Sequence, residues 1–333
     1  MIVHKSIIHM IEKEQSGNPS LHLSPSLMVI DDNVTMLTEK LNDSFRKDEK
    51  VLKTEFIVAE PKAFQISARF FVSDFTNDNF MNFSVNSINR MIDLLTGNNL
   101  ATGGYFVYSE YTYRNINYLG VFIVRDEEEI IFNRDENGEF EVNTTTIVNT
   151  NKLAMAVRID LGKLGQNQTR YLHFTKKQAH LSQYFFDWIE ADLADKSAED
   201  TQKLLDLVNQ LHINDFPLNP ENSERYTPDE FRTKLYDNIL STGRIVRIRD
   251  ISRTFWDDDD FLTNKFEELE IEISTEFQAP ESTLKKLKKY EISSGKIKLV
   301  FSQNDLDSGR IWLGDENQII IRSEDLVRKF NTI

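Results

Sequence analysis

The sequence predicts a mixed α+β protein: an N-terminal antiparallel sheet with packed helices, a helical connector, and a smaller mixed α+β C-terminal domain. Three observations carry this. Between residues 103 and 174 the pattern is that of successive strands with turn letters between them, a meander and not an alternating β-α-β series. Stretches with a 3.6-residue apolar period, two of them with N-cap letters, flank that meander. The 333 residues exceed the usual single-domain size, and a 40% hydrophobic, 11% aromatic composition can build a real core. The expected boundaries are 1–190, 191–242 and 243–333.

In chain order, residues 2–11 and 21–30 read as strands divided by the turn letters Ser16-Gly17-Asn18-Pro19. Asp31-Asp32-Asn33 supplies N-cap chemistry for a helix with Met36, Leu37, Leu41 and Phe45 on one stripe. Thr76-Asn77-Asp78 caps a second helix, with Phe80, Ser84, Ile88, Met91, Ile92 and Leu95 at helical spacing and Gly97 as its stop. Strands are expected over 105–113 and 118–124. A hairpin over 130–133 and 140–143 turns at Glu136-Asn137-Gly138, and Gly103-Gly104 is the tight entry to the first of these strands. Further strands at 157–161 and 171–174 precede a helix burying Leu181, Tyr184, Phe185, Trp188 and Ile189. Helices follow at 198–211 and 228–240, with Pro217 and Pro220 between them. A strand at 245–248, a basic helix, a strand at 297–301, a hairpin around Gly314-Asp315-Glu316-Asn317 and a short terminal helix from Asp325 complete the chain.

Composition excludes several functions. No stretch approaches the ~20 apolar residues of a membrane span, and the N-terminus lacks a signal pattern, so no membrane association is expected. Zero cysteines remove disulfides, thiolate nucleophiles and Cys-based zinc sites, and suit a reducing cytoplasm. The net charge of −15 opposes a polyphosphate-binding reading taken over the whole chain. That charge is uneven: residues 241–333 hold 15 Lys/Arg against 18 Asp/Glu, a balance of −3, which leaves −12 on the first 240.

No enzyme signature emerges. Phosphate-binding glycine loops are absent, and no Ser sits in a G-x-S-x-G elbow. Asp48-Glu49-Lys50 carries the letters of a nuclease motif but lies at a charged helix end. His4 and His9 are five apart and do not share a face. Residues 133–138 imitate a calcium loop, yet its twelfth position is Thr144 instead of a bidentate Glu. Asp257-Asp258-Asp259-Asp260 reads as a solvated acidic patch. No metal and no cofactor are therefore expected.

Two basic clusters remain. Arg244, Arg247, Arg249 and Arg253 follow the helix ending near Gly243, where helix, short strand and the run from Asp250 to Trp256 could imitate a helix-turn-helix. Lys285, Lys286, Lys288, Lys289, Lys296 and Lys298 span a helix and the strand after Gly295, with Lys285, Lys288 and Lys289 on one helical face and Leu284 and Leu287 turned to the core. An ordinary solubilising surface is the alternative. Arg158 and Arg170 are secondary candidates, with a buried salt bridge to Asp160 as their alternative.

Thr102-Gly103-Gly104-Tyr105-Phe106-Val107, Arg158-Ile159-Asp160-Leu161, Thr169-Arg170-Tyr171-Leu172-His173-Phe174, the aromatic helix from Tyr184, and the tail from Ser282 through Ser294-Gly295 to Arg310-Ile311-Trp312 stand in an order and spacing that matter more than any one motif. Together they resemble the bacterial 37-kDa nucleoid-associated proteins, the YejK/NdpA family. The resemblance implies a non-enzymatic cytoplasmic protein that co-localises with the nucleoid and binds double-stranded DNA with little sequence specificity. It transfers no mapped site. The chain departs from it in its acidic stretches at 126–129 and 257–260. These, with the acidic first 240 residues, motivate a second expectation: an interaction module for a basic DNA-processing protein, reaching the nucleoid indirectly. Exposed strand edges and the two-fold geometry of duplex DNA would suit a homodimer.

Overall fold

Strand β1 (Ile2–Glu12) begins a seven-stranded sheet that organises the first 194 residues of the chain. The structure, a computed structural model, describes residues 1–58, 60–96, 102–134, 140–150, 153–176, 179–287, 289–302, 305–306, 308–315 and 317–332. They form two compact units, Met1–Ala194 and Asp195–Ile333.

In the first unit β1 is followed by β2 (Ser20–His22), α1 (Asp32–Arg46), β3 (Val51–Thr54), α2 (Ala63–Ser73) and α3 (Asn77–Leu95). Then come β4 (Gly104–Tyr113), β5 (Ile116–Val124), β6 (Asp126–Arg134), β7 (Phe140–Val148), β8 (Met155–Asp160), α4 (Leu161–Gly165), β9 (Leu172–Thr175) and α5 (Ala179–Ile189). The sheet order is β2-β1-β4-β5-β8-β9-β3, and every neighbouring pair is antiparallel. The expected hairpin is present as β6–β7; its turn, with Glu136-Asn137-Gly138, lies outside the described residues, as does Gly97.

Side chains alternate between the faces of a strand, and here both faces are covered. On β5, Leu119, Val121 and Ile123 enter the core shared with α2, α3 and α5, while Tyr118, Phe122 and Val124 pack with Leu41 and Phe45 of α1. Asp31 caps α1, its carboxylate accepting from the Val34 N–H at 2.9 Å. Met36, expected on the buried stripe, is instead exposed, because it sits two residues from buried Val34 and so on the opposite side of the helix. Thr76 caps α3 as its sequence predicts. The glycine pair also behaves as expected: a Cβ on Gly103 would lie 1.9 Å from the Ile11 carbonyl oxygen, so only glycine admits the Gly103 N–H to its 3.0 Å bond with the Lys13 carbonyl.

Helix α2 is marked by none of the patterns above, and its N-terminus is closed from a distance. Lys62 provides no side-chain cap; the buried carboxylate of Glu190 accepts the backbone N–H groups of Lys62, Phe64 and Gln65 at 2.6, 3.0 and 3.2 Å. Glu190 has φ 54°, a left-handed conformation that costs a non-glycine residue free energy, which these bonds to an ionised acceptor offset.

The second unit contains α6 (Ser197–Gln210), α7 (Pro228–Ser241), β10 (Ile245–Arg247), α8 (Ile248–Trp256), α9 (Phe261–Glu268), β11 (Glu276–Gln278) and α10 (Glu281–Leu284). Two hairpins follow, β12 (Lys289–Ser294) with β13 (Ile297–Ser302) and β14 (Ile311–Leu313) with β15 (Ile319–Ile321), and then α11 (Glu324–Phe330). A Thr227–Glu230 capping box with Pro228 in the first turn starts α7. The helices read from sequence as a connector, α6 and α7, place Leu204, Val208, Phe231 and Leu235 in one apolar cluster with Val246, Ile251, Phe266 and Phe277. Trp256 stacks on Phe261 at 4.4 Å and donates its indole N–H to the Asp215 carbonyl at 2.7 Å.

Two stability predictions arise. Glu190→Ala leaves three buried or half-buried N–H groups without their acceptor and should destabilise the first unit by at least about 2 kcal/mol in denaturant titration; a change under half of that would show that water replaces the carboxylate. His9 is fully buried and burial lowers its pKa from 6.5 to about 4. The Ser24 N–H donates to its Nδ1 at 3.2 Å, so Nε2 carries the proton and donates to Ser84 Oγ at 3.0 Å, which itself donates to the Met81 carbonyl. The fold keeps the neutral ring while the unfolded chain takes a proton below pH 6.5. This stabilisation is complete above pH 6.5 and is lost as pH falls to 4, by up to about 3 kcal/mol. His9→Gln should flatten the stability profile over that window.

Candidate nucleic-acid interface

Residues 281–298 hold six lysines against Glu281 and Glu291, a local excess of positive charge in an acidic chain. Leu284 and Leu287 are buried as their spacing predicts. The long helical face expected for Lys285, Lys288 and Lys289 is not formed. Helix α10 ends at Leu284, a single 3₁₀ turn covers Lys285–Leu287, and the chain enters β12 at Lys289. The cause is a change of period: beyond Leu287 the next apolar residues, Tyr290 and Ile292, are two apart and specify a strand. Lys288 lies outside the described residues.

The remaining lysines divide by their engagements. Lys285 pairs with Glu281 at 2.9 Å and Lys286 donates to Gln202 Oε1 at 2.8 Å. Lys296 and Lys298 are exposed on the β12–β13 ribbon. Its register pairs Ser294 with Ile297, so Gly295 and Lys296 form a two-residue turn, with Gly295 at φ 60° as such a turn demands. Register also sorts the two faces. Tyr290 and Phe301 stack at 5.4 Å on the face that also carries Ile292 and Leu299, while Ser293 and Lys298 occupy the other.

The arginine cluster is arranged differently. Arg249 Nη2 lies 2.9 Å from Asp259 Oδ2, and Arg253 grips the same carboxylate through Nε at 2.6 Å and Nη2 at 2.9 Å. The Arg253 hydrogen bonds, with the charges of Arg253 and Arg249, hold the Asp259 carboxyl below its usual range. Arg247 pairs with Glu276 at 2.8 Å and Asp250 at 3.9 Å. Arg244 lies at the αL turn between α7 and β10. The acidic patch expected to be solvated is thus partly an internal counterion for these arginines. Helix α7, the short strand β10 and helix α8 follow one another in the order read from the sequence, with β10 paired to β11. The secondary candidates Arg158 and Arg170 are both buried. Arg158 Nη1 donates to Asn42 Oδ1 at 3.1 Å and its guanidinium lies 4.3 Å from the Tyr118 ring centre.

Sequence reasoning missed a groove lined by Arg322, Arg328 and Glu324. Arg322, its guanidinium 5.3 Å from the Trp312 ring centre, and Arg328 border this groove of about 620 Å³, also lined by Ile320 and Val327. The available signal was an arginine directly after a strand that pairs with Trp312. Among the described residues no three His, Asp or Glu side chains converge as a metal-binding group, and no helix is long and apolar enough to cross a membrane.

The fold and its charge pattern define a two-unit α+β protein with a lysine-rich segment over residues 281–298. Its sequence matches the profile of the family described as nucleoid-associated protein YejK over residues 7–325, and the chain belongs to that family. Relatives include a nucleoid-associated protein of Pseudomonas putida strain GB-1, 24% identical over 304 residues covering 87% of this chain and 86% of its own. One from Pseudomonas paraeruginosa PA7 is 25% identical over 74% of this chain and 70% of its own length, and one from Serratia proteamaculans strain 568 is 25% identical over 73% and 72%. The family is one of nucleoid-associated proteins and not of enzymes.

Asp259→Asn tests the counterion arrangement. Two guanidiniums lose their shared carboxylate, and the variant should elute from a heparin column at higher salt than the parent. Unchanged elution would mean that neighbouring carboxylates take over.

Proposed function

We propose that the chain is a non-enzymatic nucleoid protein that binds double-stranded DNA with little sequence specificity, through phosphate contacts from Lys285, Lys286, Lys288, Lys289, Lys296 and Lys298. The exposed positions of Lys296 and Lys298 at the end of a two-stranded ribbon carry the reading. A two-stranded ribbon fits the width of a major groove, and lysine is a flexible point charge that contacts phosphate without fixing a base. Arg244, Arg247, Arg249 and Arg253 act in second place, since most of them must first exchange a carboxylate for a phosphate.

A second reading is favoured by the −12 on the first 240 residues: this acidic surface binds a basic DNA-processing protein, and nucleoid location follows from that partner.

Fluorescence anisotropy of a labelled random-sequence duplex at several salt concentrations separates the two. Engagement of all six lysines gives a log–log salt slope of about −5 and a roughly thousandfold loss of affinity between 50 and 200 mM salt. Lys296→Gln with Lys298→Gln should flatten the slope by about 2. An absence of duplex binding at low salt overturns direct contact in favour of the protein partner.

A further inference from the structure

On the β12–β13 ribbon an apolar row runs out to the turn. Tyr290, Ile292, Leu299 and Phe301 share one face, and the register puts Ile297, opposite Ser294, on that same face at the turn end. Exposure grows in that direction: Tyr290, Phe301 and Leu299 are half-buried, Ile292 is 44% exposed and Ile297 75%. Ile297 directly follows the Gly295-Lys296 turn, and the exposed Lys296 and Lys298 precede and follow it. Strand propensity favours an isoleucine at such a position but gives it nothing to bury against.

We propose that Ile297 is a wedge that enters a duplex between two stacked base pairs, so that the protein kinks DNA as well as holding it. This rests on the DNA reading above and adds to it the fate of the base stack. A wedge needs an apolar side chain that stands clear of its surroundings on a narrow support, with cations beside it to hold the backbone while the step opens. Ile297 stands at a two-residue turn, the tightest end a ribbon presents. Lys296 and Lys298 are the cations, placed to meet the phosphates that flank the opened step. Ribbon width alone is compatible with the major groove; a wedge enters from the minor groove and bends the duplex by about 20–90°. The β14–β15 hairpin is the internal contrast. Leu313 is 82% exposed beside its turn, but that turn is Gly314-Asp315-Glu316-Asn317, whose carboxylates oppose a phosphate backbone.

A duplex of about 30 base pairs, far shorter than the ~150-base-pair persistence length and so nearly straight when free, carries a donor and an acceptor dye at its ends. Energy transfer reports bending by the full chain, and anisotropy of the same duplex at low salt reports binding. The parent should raise the transfer at saturation. It should also bind a duplex with a central two-base mismatch, which is cheaper to unstack, about tenfold more tightly than the paired one. Ile297→Ser should bind the paired duplex with an unchanged salt slope, since both lysines remain, yet leave it straight and lose the mismatch preference. Ile297→Leu should keep both properties, and Leu313→Ser should behave as the parent. A parent that binds without bending overturns the wedge and leaves the DNA reading standing, and so does Ile297→Ser bending the duplex as the parent does. A parent that binds no duplex at low salt overturns both.

Discussion

Coverage of the N-terminal sheet on both faces is the constraint from which most of that unit follows. An antiparallel sheet commonly leaves one face to water; here α1 closes one face and α2, α3 and α5 close the other. Every polar group carried on a central strand must then find a partner inside. His9 bridges Ser24 and Ser84, Ser87 Oγ donates to the Tyr108 hydroxyl at 3.0 Å, and the Trp188 indole donates to the Ser87 carbonyl at 2.6 Å. Burial also pushes the Tyr108 hydroxyl well above its ordinary pKa, which keeps it a neutral member of this network. Arg158, which in the linear sequence resembles a phosphate ligand, is consumed by the same requirement between Tyr118, Phe45 and Asn42.

Charge is the second constraint. A chain of net −15 supplies carboxylates near almost any cation, so a basic cluster in the sequence predicts a basic surface only where counterions stay away. The arginines of α8 fail that condition because the turn into α9 brings Asp259 within 3 Å of both Arg249 and Arg253. On the β12–β13 ribbon the turn residue Lys296 and the strand residue Lys298 are both exposed.

Local signals account for the parts of the fold that were legible in the sequence. Asp31 and Thr76 marked helix starts because a cap is a matter of three or four consecutive residues. Gly103 announced a close approach that the Ile11 carbonyl confirms. Helix α2 was illegible because its cap, Glu190, lies 126 residues beyond Phe64. The lysine segment was misread as one helix because Leu284 and Leu287 carry a helical spacing that stops one residue before the strand period begins. The pairing of Arg253 with Asp259, six residues apart, depends on the αL residue Asp257 reversing the chain between two helices, and no residue type demanded that conformation there.

The same contrast bears on why a lysine ribbon suits indiscriminate binding in an acidic protein. Arginine's rigid fork gains most from bidentate acceptors, and in this chain the acceptors nearest to it are its own carboxylates, which hold Arg253 in two bonds at once. Lysine gains less from any single partner and loses less on leaving it, so Lys285 and Lys286, each held by one exposed contact, can exchange that contact for a phosphate at small cost. On the proposed reading, the net negative charge of the first 240 residues opposes a duplex while the lysine segment attracts it. Specificity of orientation arises from where charge is missing as much as from where it is placed.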